Sequence, residues 1–275
     1  MANKATPKKF AMQQCFEILL RQPSSKKILA YLTDCKTSSL ENTVEMVYPT
    51  GGAGNVYIGT GFGHSRRSTL TVESATFNTE VMAIQNGTEV DVGSHEITAY
   101  DVIEVGSEDI STAGVQLHHT PIGTKDSEIG FAYLLNSDGT YGKTFEQVST
   151  TATTGKFQYA SGAMKFAKND LAKGDRIACA YTYKTTDTAQ KITMSADALP
   201  ATVLVSAYGV ARDVCSGDVF PCVIEGQAQI DGDWNFDLSA DGDPVTQNLT
   251  MEFVRSCLSN KMYDFIIYTD EEVGE

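Results

Sequence analysis

The stretch that decides the fold runs from Val44 to Gly87 and reads VEMVYPTGGAGNVYIGTGFGHSRRSTLTVESATFNTEVMAIQNG. A strand at its start leads into a loop rich in glycine, with Gly51, Gly52, Gly54, Gly59, Gly61 and Gly63. The basic pair Arg66–Arg67 and the alternating strand Ser68–Ser74 follow, and a short helix comes next. This order of elements predicts one half of a β-rich building block and contains no pattern typical of an active site.

The strongest helix signal in the chain lies between Thr76 and Gly87. Thr76 or Asn78 can cap the start, Glu80 falls in the first turn, and Gly87 can end the helix. One apolar stripe at helical spacing comes from Phe77, Val81 and Ile84. We therefore expect a single short amphipathic helix here.

Most of the remaining chain reads as strands separated by turns. Strands are predicted at 15–22, 28–33, 101–105, 131–135, 156–159, 164–166, 176–185, 192–196, 201–208, 222–230, 233–238, 249–253 and 263–268. Turn signals stand at Ser137–Gly139 and Ser161–Gly162. Two strands show one clear apolar face, formed by Ile177, Cys179, Tyr181 and Tyr183 and by Trp234, Phe236 and Leu238. Many short strands and one helix predict a mainly β fold, a sandwich or barrel flanked by one short α-helix.

The domain organisation follows from composition along the chain. Residues 1–12 are polar and rich in lysine, which predicts a mobile N-terminal arm. Residues 13–270 contain no stretch typical of a linker and are expected to form a single β-rich domain, with an elaboration within 107–200. Residues 271–275 form an acidic C-terminal tail.

The net charge of -14, from 35 acidic and 21 basic residues, argues against a general nucleic-acid-binding surface. The first ten residues lack the apolar stretch of a secretory signal, and no apolar run reaches the ~20 residues that span a membrane. Six scattered cysteines predict free thiols in a reducing cytosol.

Motifs for chemistry are weak throughout. Gly51–Gly54 is followed by Asn55 and a strand-like segment, with no lysine for a phosphate-binding loop. The histidines and cysteines lack the spacing of a zinc site. An EF-hand loop is matched only by Asp237, Ser239, Asp241 and Gly242, and these residues are better explained as a hairpin turn. We expect neither an enzyme nor a bound cofactor or metal.

Five segments in order resemble the tail tube proteins of tailed bacteriophages. They are Ile28–Leu40, Tyr48–Asn55, Ser68–Phe77, Gly155–Tyr159 continuing to Tyr181–Tyr183, and Gly226–Leu238 with Leu249–Phe253. The resemblance lies in the pattern and succession of elements over most of the chain, because these proteins share no invariant signature.

The resemblance implies a structural protein of the virion tail, assembled in the cytoplasm of the bacterial host. Such proteins form rings, usually hexameric, that stack into a hollow tube whose lumen tends to be acidic. Phage DNA passes through the lumen without specific binding, and no membrane is involved. The implied partners are other copies of the chain, the tape measure protein, the terminator and, in contractile tails, the sheath.

The residues proposed for self-assembly are Gly51, Gly52, Gly54, Asn55 and Tyr57, because glycines permit a close approach of a neighbouring chain. Two alternatives remain. The first is another phage structural protein, a tail terminator or a capsid decoration protein. The second is a β-sandwich carbohydrate-binding module or adhesin, which would use Tyr159, Tyr181 and Tyr183 as an exposed aromatic group.

Overall fold

The computed structural model confirms a mainly β fold with one helix. It describes residues 6–48, 50–51, 56–57, 61–109, 114–235, 238, 242, 245–255 and 260–269. The strands are β1 (Phe10–Met12), β2 (Glu17–Arg21), β3 (Ile28–Leu32), β4 (Cys35–Val47), β5 (Thr50–Gly51), β6 (Val56–Tyr57), β7 (Phe62–Ser74), β8 (Asp91–Gly93), β9 (Glu96–Glu104), β10 (Val115–Gln116), β11 (Phe131–Leu135), β12 (Tyr141–Gln147), β13 (Lys156–Ala160), β14 (Ala163–Phe166), β15 (Arg176–Lys184), β16 (Ala189–Lys191), β17 (Thr202–Asp213), β18 (Val219–Ile230), β19 (Gln247–Phe253) and β20 (Tyr263–Ile267). The helix α1 spans Thr79–Gln85.

The chain divides into two compact units. The first comprises Met1–Val90 and Ile192–Glu275, and the second comprises Asp91–Lys191. The second unit has its own sheet and its own apolar core. The sequence placed its extra length within 107–200, which overlaps this unit, and the single domain over 13–270 stays a prediction.

The first unit is built on one large antiparallel sheet with the strand order β3-β2-β17-β18-β19-β7-β4. Its two end strands, β3 and β4, are consecutive in the chain and are separated only by Thr33 and Asp34. The carboxylate of Asp34 accepts hydrogen bonds from the hydroxyls of Ser74 and Thr76 at the end of β7. The sheet therefore curves back on itself into a nearly closed barrel.

The helix α1 belongs to the core of this barrel. Asn78 is its N-cap, since the side-chain Oδ1 accepts from the backbone N of Glu80 at 2.8 Å and of Val81 at 3.3 Å. A cap of this kind stabilises a helix by about 1 kcal/mol. Val81 and Ile84 are buried among apolar side chains of the sheet. The predicted helix and one of its two proposed caps are thus confirmed.

The second unit contains a seven-stranded sheet with the order β10-β14-β13-β12-β11-β15-β9, and the antiparallel pair β8–β16, which joins the two ends of the unit. The turn between β13 and β14 uses Ser161 and Gly162, which have φ angles of 56° and 82°. Two consecutive positive φ values are the requirement of a type I′ turn, so the predicted turn is confirmed. The core side chains include Ile129, Phe145, Phe157, Met164, Ile177, Cys179 and Tyr181.

Two predicted strands do not form in the residues that the structure describes. No strand forms at 192–196, because β16 ends at Lys191 and its partner β8 begins opposite, at Asp91. The described part of 233–238 is not a strand either. The carboxylate of Asp231 accepts from the backbone N of Asp233 at 3.2 Å and bends the chain, while Trp234 donates to Asn86 at 3.1 Å.

The predicted common face of Trp234, Phe236 and Leu238 is consequently wrong. Leu238 is 84% exposed, and Phe236 lies outside the described residues. Phe10–Met12, which the sequence assigns to the N-terminal arm, pairs with β17 as a short strand. Phe10 also stacks on Phe265 with ring centroids 5.9 Å apart, which adds an apolar contact to the backbone pairing.

Candidate assembly surface

The longest hairpin of the chain extends beyond the core of the first unit. β4 and β7 pair from Cys35 opposite Ser74 to Val47 opposite Phe62. Side chains at the base of β7 alternate between buried and partly exposed, but every position over 43–48 and 62–67 is exposed. We call residues 43–67 the hairpin arm. Isolated two-stranded ribbons are at best marginally stable in water, so an arm of this length is best stabilised by a partner.

The hairpin arm carries large apolar side chains in exposed positions. Their exposed fractions are 42% for Val44, 47% for Met46, 51% for Val47, 49% for Tyr48 and 69% for Phe62. Exposed apolar groups that are clustered, rather than scattered singly, are typical of interaction surfaces. This cluster is the best candidate for an assembly surface in the part of the chain that the structure describes.

Glycines shape one face of the hairpin arm. A Cβ added at Gly63 would lie 3.2 Å from the Sδ of Met46 and 3.3 Å from a methyl carbon of Val44. A Cβ added at Gly61 would lie 2.6 Å from the ring of Tyr48. Val44, Met46 and Tyr48 therefore lie across the two glycines, which leave room for these apolar side chains to cover this face of the hairpin arm.

The opposite face combines apolar and charged groups. Val47 and Phe62 are cross-strand partners there, and Glu45 pairs with His64, whose Nδ1 lies 3.4 Å from the Glu45 carboxylate. Both faces thus expose apolar area. Complete burial of the hairpin arm would require a partner on each side.

The residues proposed for self-assembly map to the tip of the same hairpin. Thr50 pairs with Tyr57 and Gly51 with Val56, so the backbones of Gly51 and Tyr57 extend the ribbon. Gly52, Gly54 and Asn55 lie outside the described residues, and the role of all five stays a prediction. Sequence reasoning missed Val44, Met46 and Phe62, although the alternation of Val44, Met46 and Tyr48 was a usable signal.

The described residues give little support for a metal-binding site or for a reactive cysteine. No group of three or more His, Cys, Asp or Glu side chains among them is placed to hold a metal ion. Three members of the EF-hand-like match, Asp237, Ser239 and Asp241, lie outside the described residues. Burial raises the pKa of the Cys35 thiol to about 11 and that of Cys179 to about 12, so both remain protonated at neutral pH.

A buried carboxylate organises a polar cluster in the second unit. Asp101 accepts hydrogen bonds from the hydroxyl of Tyr181 at 2.7 Å and from the backbone N of His118 at 3.0 Å, and the Nδ1 of His118 lies 2.9 Å from it. Burial acts to raise the pKa of Asp101, but these hydrogen bonds outweigh it and lower that pKa below its usual value. The cluster ties the segment after β10 to the sheet.

The prediction that Tyr159, Tyr181 and Tyr183 form an exposed aromatic group for glycan binding is wrong. Tyr181 is buried, while Tyr159 and Tyr183 pack against the core of the second unit. Tyr183 also stacks on the ring of His119 at a centroid distance of 3.9 Å. These three rings are therefore structural and do not form an exposed face.

Comparison with protein-family models identifies the family of the chain. A sequence model of the YomU/Tube protein family matches residues 10–267, which is nearly the whole chain. A search of curated proteins finds no match. Within the described part of the chain, no helix is both long and apolar enough to cross a membrane.

Proposed function

The chain belongs to the YomU/Tube protein family, and from this family name and the exposed hairpin arm we propose that it is the subunit of a phage tail tube. Copies of the chain form rings, six to a ring, and the rings stack into a hollow tube. The hairpin arm is the observation that carries this proposal, because it supplies a surface that assembly would bury.

Burial of the exposed apolar side chains of the hairpin arm would contribute to the free energy of assembly at every subunit contact. Fully burying a large apolar side chain contributes about 1.5–3 kcal/mol, and roughly half of that remains to be gained when the side chain is half exposed. Val44, Met46, Val47, Tyr48 and Phe62 together then contribute about 5 kcal/mol per subunit before the cost of association. A closed ring repeats this contact at every subunit, which favours assembly over isolated pairs.

Backbone pairing supplies a second contribution. β4 is an end strand of the large sheet and pairs only with β7 among the strands that the structure describes. An end strand offers a row of N–H and C=O groups to a strand of a neighbouring subunit. Because the hairpin arm is apolar on both faces, we place it between two neighbours.

Charge supports the passage of DNA. The net charge of -14 gives an assembled wall that repels phosphate groups and so limits adhesion during DNA transit. The protein acts without catalysis and without a cofactor. Its further partners are the tape measure protein, the terminator and, in a contractile tail, the sheath, and assembly takes place in the host cytoplasm.

Negative-stain electron microscopy of the purified protein tests this proposal. We expect rings or hollow tubes of uniform diameter when the protein is concentrated. Rings that never stack would favour a tail terminator. Single particles of monomer size at all concentrations would contradict the proposal.

A further inference from the structure

The outer face of the second unit carries a group of exposed aromatic side chains, which we call the tyrosine platform: Tyr100, Phe131, Tyr133 and Tyr141. Tyr133 stands opposite Ala178 and Tyr100 stands opposite Ala180 in the ladders around β15. The neighbouring positions, such as Ala132 and Cys179, face the core. Alternation along the strands therefore places Tyr100, Phe131 and Tyr133 on the other face. Tyr141 reaches the same face because the β11–β12 register shifts between the pairs Tyr133–Thr144 and Leu135–Tyr141.

The rings of the tyrosine platform lie along the sheet. The hydroxyl of Tyr100 is 3.1 Å from that of Tyr141, although β9 and β12 are three strands apart in the sheet order. Strands are spaced about 4.8 Å apart, so both side chains must extend over the strands between them to meet. Tyr133 contacts Tyr141 at a centroid distance of 5.1 Å.

Small residues form the floor under these rings. Ala178 is completely buried, while the rings above the sheet remain accessible, with Tyr100 55%, Phe131 50% and Tyr141 59% exposed. The result is a flat, open surface of aromatic rings. Hydroxyl groups lie within it, and polar side chains lie at its rim.

The size of the tyrosine platform argues against a protein partner. Aromatic side chains bury about 150–250 Å² each, so half-exposed rings offer roughly 350 Å² in total. A stable protein interface needs about 800 Å² from each partner. The platform is less than half of that, but it is large enough for a few sugar units.

The charges around the platform restrict the ligand further. The ladders that carry the rings also place Glu104, Glu146, Arg176 and Lys156 on this face, and the Lys156 ammonium lies 3.7 Å from the Glu146 carboxylate. Two carboxylates and two cations leave the face without a net charge, which favours a neutral ligand over a polyanion, and all four groups can form hydrogen bonds with hydroxyls. We propose that the tyrosine platform binds a neutral, hydroxyl-rich polysaccharide, whose sugar rings stack on the aromatic rings.

Binding of the full-length protein to four neutral glycans tests the proposal. The probes are cellulose and chitin particles in a pull-down, and the soluble hexasaccharides of glucose and of N-acetylglucosamine in a titration. We expect the wild-type protein to bind at least one probe. The double variant Tyr100→Ala/Tyr141→Ala should bind it about tenfold more weakly, since each lost ring contact weakens binding about threefold and the two factors multiply.

Two control variants sharpen the test. Tyr141→Phe keeps the ring and should bind within about threefold of the wild type, and Tyr31→Ala removes a half-exposed tyrosine of the first unit and should leave binding unchanged. Melting temperatures verify that each variant is folded. The proposal is overturned if the wild type binds none of the probes or if the double variant binds equally well. It is also overturned if the double variant changes only self-assembly, which would assign the platform to a contact between subunits.

Discussion

Replacing both Met46 and Phe62 with serine should raise the lowest concentration at which the protein assembles. Met46 is 47% exposed and Phe62 is 69% exposed, on opposite faces of the hairpin arm. Covering the exposed parts on assembly contributes about 1 kcal/mol for Met46 and about 2 kcal/mol for Phe62. A serine side chain lacks most of this apolar area, so the double variant loses about 3 kcal/mol of burial free energy per contact. Because 1.4 kcal/mol corresponds to a factor of ten, the critical concentration should rise about 100-fold.

The assay is sedimentation of assembled protein over a dilution series, with the soluble fraction measured after each spin. Met194→Ser is the matched control, since Met194 is 66% exposed but lies outside the hairpin arm, and it should not change the critical concentration. Surface substitutions usually change stability by no more than about 0.5 kcal/mol, so all variants should melt close to the wild type. A folded double variant with an unchanged critical concentration would refute the role of the arm.

Three further predictions concern stability and the N-terminus. Asp101→Asn should lower the free energy of unfolding by about 3 kcal/mol at pH 7, because it weakens charge-assisted hydrogen bonds. The folded-state pKa of Asp101 is lowered, so its contribution is fully present above the unfolded pKa of about 3.9 and is lost as pH falls through the folded value. Chemical denaturation at pH 7 and pH 3 should show the difference shrinking, and a constant difference would contradict this assignment. Gly87→Val should lower the free energy of unfolding by about 2 kcal/mol or more in the same assay. Gly87 has a φ of 64°, and a Cβ there would lie 2.1 Å from the carbonyl oxygen of Leu199. An unchanged denaturation midpoint would refute this prediction. Deleting residues 1–10 should leave a folded protein whose rings stack poorly into tubes, as seen by electron microscopy. Normal tubes from the shortened protein would show that the N-terminal arm has no role in stacking.

Local signals predicted local structure well. The cap at Asn78, the positive φ at Gly87 and the turn at Ser161–Gly162 depend on a few neighbouring residues, so the sequence contains all that is needed. The strand predicted at 192–196 failed because a strand needs a neighbour to pair with, and that neighbour ends its pairing at Asp91. Sheet order has the same non-local origin, since β17 pairs with β2 across about 180 residues of chain.

The aromatic faces illustrate a second limit of the sequence. Alternation correctly grouped Tyr181 with Tyr183, but it does not say which face of β15 is covered. The apolar core of the second unit covers the face of β15 that carries Tyr181, and Tyr100 and Tyr141 lie on the outer face of the same sheet. The sequence likewise did not predict the apolar surface of the hairpin arm. The glycines pointed to the tip of the hairpin, whereas the exposed apolar residues Val44, Met46 and Phe62 lie nearer its base.

A cryo-electron-microscopy reconstruction of assembled tubes, at a resolution that shows side chains, tests the role of the hairpin arm most directly. We predict that residues 43–67 of each subunit lie between two neighbours, with Met46 and Phe62 buried on opposite faces of the hairpin arm. A tube in which the hairpin arm projects into solvent, with both side chains still exposed, would contradict it.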